Sequence, residues 1–200
     1  MKSKFLIASA MLTLYSCQNK DKTESKNIIK TIAEDTLTKT VAGTADVSDA
    51  PLKKNKAVEL IQKQLNVLLK KDLPAMTKED RFFYYEAFDL NNDKKKEYFV
   101  GFSNSFFCKS DGCSGYILSN DGSVINSFTV TDFPILITTS TTEKFYDLLV
   151  GTEGKFHLVK MKNGKYPSNP SFQEKWKGEV PKEISKVLNI QGKKLEKYSF

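Results

Sequence analysis

Histidine is almost missing from this sequence of 200 residues, which contains one, His157. That scarcity excludes an imidazole-rich zinc centre, and it leaves little from which to assemble a Ser–His or Cys–His catalytic pair. His157 lies in Phe156-His157-Leu158-Val159, where the ordinary reading is a packed strand residue. There is no Gly-x-Ser-x-Gly turn, no phosphate-binding glycine loop and no His-Glu-x-x-His. No motif marks a glycosidase-type carboxylate pair, although the residues leave one open. No apolar run approaches the roughly 20 residues of a membrane-spanning helix. What is present, 40% hydrophobic and 28% charged residues, suits a folded chain and excludes a fully disordered one.

Cysteine is also scarce, and its count of three is odd. An odd cysteine in an exported protein needs an explanation, and the first residues offer one. Lys2 and Lys4 precede Phe5–Tyr15, an uncharged and mostly apolar run. It has the length of an export-signal core and is too short to span a bilayer. Leu14-Tyr15-Ser16-Cys17 follows and resembles the lipobox of bacterial lipoproteins. The resemblance implies cleavage before Cys17, which then carries diacylglycerol and an amide-linked acyl chain. One acyl chain holds a protein marginally, whereas two or three make attachment effectively permanent. Gln18, in place of Asp, points to the outer rather than the inner membrane of a cell envelope. Ordinary secretion and an uncleaved anchor are the other readings of the same segment.

Three regions are expected: a signal over 1–16, a flexible tether over 17–50 and a globular domain over 51–200. The tether is rich in Lys, Thr, Ser, Asp and Asn and has no aromatic residue, so it cannot bury enough apolar surface to offset chain entropy. Ile28, Ile29, Ile32 and Leu37 would allow a transient helix over 26–37. The net charge is +7. Removing Lys2 and Lys4 leaves +5; residues 17–50 carry five Lys against six acids, so 51–200 carries +6. Such a surplus reads as a solvated lysine surface, or as attraction to anionic envelope polymers or headgroups. The lysines are scattered, and no nucleic-acid partner is expected.

The domain is predicted to be α+β, with an N-terminal helix packed on a mostly antiparallel sheet of about seven strands. Val58, Ile61, Leu65 and Leu68 share one helical face, and Pro74 would stop the helix, with Lys70 and Lys71 at its C-terminal end. Strands are predicted at 81–88, 97–102, 115–118, 123–130, 133–138, 145–150 and 155–161. Asn120-Asp121-Gly122 and Thr152-Glu153-Gly154-Lys155 read as hairpin turns, and Asn163-Gly164 as another tight turn. A short helix is expected near 181–189. Trp176 and the Phe and Tyr residues read as core or sheet-face packing.

The most specific motif is Asp89-Leu90-Asn91-Asn92-Asp93-Lys94-Lys95-Lys96-Glu97. Asp89, Asn91, Asp93 and Glu97 place side-chain oxygens at positions 1, 3, 5 and 9, and Lys95 could add its backbone carbonyl. A hard cation such as Ca²⁺ takes six to eight oxygens. The pattern resembles the Asp-x-Asn-x-Asp loops of integrin-type FG-GAP repeats, and that resemblance implies a calcium-ordered loop between strands. Lys94 stands where such loops usually have Gly. The competing reading is a polar turn whose Asp and Asn bond their own backbone. Cys108 and Cys113 are expected to form a disulfide in an oxidising envelope.

The domain resembles uncharacterised envelope lipoproteins of Bacteroidetes-like bacteria, a resemblance that carries no activity with it. The expectation is a membrane-anchored, non-enzymatic module that binds an envelope protein or polymer, with Ca²⁺ as its one candidate cofactor. An inhibitor of a secreted hydrolase such as lysozyme, and an envelope hydrolase, are the alternatives.

Overall fold

The computed structural model describes residues 55–200. Cys17, the signal and the tether expected over 17–50 lie outside the described residues. Among the described residues one α-helix, α1 (Lys56–Leu68), precedes ten strands. These are β1 (Phe82–Phe88), β2 (Glu97–Gly101), β3 (Cys108–Lys109), β4 (Gly112–Leu118), β5 (Val124–Thr142), β6 (Phe145–Thr152), β7 (Lys155–Val159), β8 (Glu174–Lys175), β9 (Ser185–Val187) and β10 (Tyr198–Ser199). All pairings are antiparallel, in the order β10-β1-β2-β4-β5-β6-β7-β8, with β3 added to β4 and β9 to β5.

The sheet-rich α+β class agrees with expectation, but two details differ. The helix begins at residue 56 and is not at the chain's N-terminus. The sheet has ten strands, not about seven. Residues 124–130 and 133–138 are one long strand, β5. Strands of two or three residues (β3, β8, β9, β10) are too short for alternation to announce them.

Asn55 starts α1: its side chain accepts the Ala57 N–H, satisfying one of the helix's orphan donors. Val58, Ile61 and Leu65 form the buried stripe. The helix ends at Leu68, earlier than Pro74 would require, so Lys70 and Lys71 lie beyond it. Pro74 instead occupies a 3-10 turn, Leu73–Ala75.

β2 shows how the core is divided. Tyr98 and Val100 face the helix side with Phe83 of β1 and Leu118 of β4. Phe99, between them, faces the opposite way and packs with Ile117, Phe128 and Leu148. Period-two alternation therefore fills two apolar clusters from one strand. α1 covers the first cluster, and its edge is closed by Tyr198 and Phe200. Gln62 donates to the Ser199 carbonyl, and the Phe200 N–H to the Arg81 carbonyl, fixing that closure.

β5 serves both halves of the sheet: its first part pairs with β4 and its second with β6. Pro134 falls where the ladder to β6 is interrupted, between Asp132 and Leu136, so its missing N–H leaves no rung unfilled there. Residues 181–189 do not form the expected helix. Ile184 N–H closes a turn on Pro181, and Ser185–Val187 then pair with Ile135–Ile137.

Candidate functional site

Of the residues predicted to chelate a cation, Asp89, Asn91 and Asp93 share one hydrogen-bonded turn, and the turn's own backbone holds them. The Asp89 carboxylate accepts N–H groups from Asn91 (3.3 Å), Asp93 (3.2 Å) and Lys94 (2.9 Å). Asp93 accepts the Lys95 N–H at 2.8 Å and the Asn91 side-chain amide at 3.2 Å. Asn92 and Lys94 have positive φ, which turns successive amides inward. This is the polar turn of one sequence reading, with the oxygens of Asp89, Asn91 and Asp93 gathered on the loop's inner side. Among the described residues, no three His, Cys, Asp or Glu side chains form a group able to hold a metal.

Glu97, the ninth position, differs from the others because it is buried, at 4% exposure. Its carboxylate accepts the Leu90 N–H at 2.7 Å. Burial pushes its pKa up from the ordinary 4.5, the Leu90 N–H and its own backbone oppose that, and the negative charges of Asp93 and Asp89 add to the rise. The loop is also tied to β6: the Tyr146 N–H donates to the Leu90 carbonyl, and Asn92 donates to the Tyr146 hydroxyl.

Tyr146 also lines an apolar groove of about 270 Å³. Phe88, Leu149, Trp176 and Ile184 form its walls, and Thr138–Ser140 form a polar lip. Trp176 is half-buried here, outside the two core clusters. It is held in place by its N–H to the Phe156 carbonyl, by its indole N–H to the Glu179 carbonyl (3.4 Å) and by Gly178 against the ring. The groove gives no sequence signal, because its walls come from four separated segments of ordinary composition.

Cys108 and Cys113 form the expected disulfide across the β3–β4 pair. A wider cleft of about 480 Å³ runs beside it, with Asp132 as its lining carboxylate. Facing that cleft, the Phe133 ring lies over Gly101 and Gly115, where a Cβ would come within 2.8 Å and 3.3 Å of it. His157 is a packed strand residue, with Nδ1 2.9 Å from the Gln173 carbonyl oxygen. Among the described residues, no helix is long and apolar enough to cross a membrane.

Comparison with protein-family models, with characterised proteins and with solved structures finds no match to this chain.

Proposed function

We infer that the protein is a lipid-anchored module of the bacterial cell envelope that binds a partner and does not catalyse a reaction. The observation that carries this reading is the coexistence of the Lys2–Cys17 signal-and-lipobox pattern with a Cys108–Cys113 disulfide. Both belong to chains that leave the reducing cytoplasm. Lipidation also accounts for the odd cysteine, since the other two are paired with each other.

Cys17→Ala tests the anchor directly. The wild type should sediment with membranes, and its mature N-terminus should carry the mass of its acyl chains. The variant should retain residues 1–16 and lose that mass. A wild-type N-terminus that begins at an unmodified Cys17, or at Met1, would refute the reading.

A second reading concerns the 89–97 loop. Glu97 is a buried carboxylate repelled by Asp89 and Asp93, and a divalent cation would relieve that repulsion. Calcium would have to draw Asp89 away from backbone donors it now satisfies, so its affinity should be low, on the order of 10⁻⁴–10⁻³ M. Without calcium, the raised Glu97 pKa lowers stability. That cost is absent below the ordinary value of 4.5, grows as pH climbs from there to the raised value, and is constant above it. Calcium should therefore raise the melting temperature most on the alkaline side of this window. Asp93→Ala should abolish the rise, and Glu97→Gln should flatten the pH dependence while keeping an acceptor for Leu90. An unchanged wild-type melting curve in millimolar calcium would rule the ion out.

A further inference from the structure

We propose that the cleft beside the Cys108–Cys113 disulfide is a binding site for a neutral oligosaccharide, with the Phe133 ring as its stacking platform and Asp132 as the acceptor for sugar hydroxyls. This names a ligand class for the binding-module reading and rests on it.

Two glycines place the ring. Gly101 of β2 and Gly115 of β4 are direct partners in the ladder. A Cβ on either would meet the Phe133 ring, 2.8 Å and 3.3 Å from its Cζ. The atoms that approach are Cζ, Cε1 and Cε2, the ring's outer edge. The ring thus stands with its edge on a bare patch of backbone, and its faces are left for what lies to either side. Phe133 lines two clefts, of about 480 Å³ and about 220 Å³. The larger falls within the usual range of small-ligand sites, about 300–1,000 Å³.

Asp132 lines the same two clefts. It is half-buried, and its ladder partner is Gly151, so no side chain across the rung covers it. Its carboxylate accepts one hydrogen bond, a long one of 3.5 Å from the Gly154 N–H. Most of its lone pairs are therefore open to donors. Gln191 and Ser103 complete the polar lining of the larger cleft. Gln191 is exposed and can both donate and accept. Ser103 donates to the Tyr84 hydroxyl at 3.4 Å and keeps its own lone pairs.

A sugar ring is apolar on its faces and polar around its edge. It matches an aromatic face rimmed by groups that pair with hydroxyls. Charge selects against other occupants. Among the described residues, Asp132 is the one charged group lining the larger cleft, so an acidic polymer meets repulsion there. A cationic amine is held by a cage of several aromatic faces. Here Phe133 offers the one face, because Phe102 is fully buried. Such a cation would also approach a domain of net positive charge, with Lys155 lining the smaller cleft. A peptide strand finds no edge to join, since β2 and β4 lie between paired neighbours. A single lining carboxylate also lacks the partner that glycoside cleavage needs, so the cleft holds a glycan without cutting it.

The test applies the full chain, in a detergent without a sugar headgroup, to an array of neutral, acidic and amine-bearing glycans. Retained glycans are then titrated calorimetrically as free oligosaccharides. Neutral glycans should be retained and should bind with a Kd at or below about 1 mM. Asp132→Asn, which keeps the size of the side chain, and Gln191→Ala, at an exposed position, should each weaken binding at least about tenfold. Circular dichroism confirms that both variants are folded, and Val67→Ala should bind as wild type does. The proposal is overturned if no neutral glycan is retained, if retention is confined to acidic or amine-bearing glycans, or if both folded variants bind as wild type does. Those results would leave the Cys17 anchor standing, whereas an unmodified Cys17 would refute the anchor and leave the cleft.

Discussion

Phe99→Ala should lower the stability of the folded protein by about 4 kcal/mol. Phe99 is fully buried on the central strand β2, among Ile117, Phe128 and Leu148. Truncation loses the transfer energy of the ring and leaves a void whose walls are strands hydrogen-bonded on both sides, so little collapse can relieve it. For a chain of this size the corresponding drop in melting temperature is about 12 °C. Urea denaturation followed by circular dichroism would measure it. Val67→Ala, at a helix position that is 64% exposed, is the matched control and should change stability by no more than about 0.5 kcal/mol. Equal effects at the two positions would contradict the assignment of the core.

The second large effect is expected at Gly112, where Ala should cost about 3 kcal/mol. Its φ is +130°, a conformation that L-residues rarely adopt, and a Cβ there would sit 2.7 Å from the Thr131 backbone nitrogen. Strain and overlap with main chain add, because a backbone atom cannot swing away as the tip of a side chain can. Gly154 separates the two contributions. Its φ is also positive, at +71°, but nothing lies within 4 Å of the added atom. Gly154→Ala should therefore show the conformational cost alone, about 1 kcal/mol. The comparison is made by thermal unfolding with the disulfide intact. Similar losses at both glycines would show that overlap with Thr131 contributes nothing.

What could be read from the sequence follows from how local each signal is. The α1 stripe, the Asp121-Gly122 turn and the 89–97 loop each occupy a few consecutive residues, and the structure puts them where their spacing says. The β5 strand was divided in expectation because Thr131, Asp132, Phe133 and Pro134 look like a break. In the fold they are the bend at which one strand leaves β4 for β6. β9 and β10 owe their conformation to distant partners in β5 and β1, so residues 185–187 and 198–199 carry little intrinsic signal. The groove was hidden for the same reason. Phe88, Tyr146 and Trp176 each read as ordinary packing until the chain brings them together.

The closure of the helix-side cluster by Tyr198 and Phe200 bears on folding order. Gln62 and Ser199, which touch through a hydrogen bond, are separated by 137 residues. Closing so large a loop is entropically costly and slow. During synthesis α1 and β1 wait for this lid until residues 198–200 have left the ribosome. The early half of the domain thus lacks a finished core for most of translation, and the apolar stripe of α1 stays uncovered along that edge until the last residues are made.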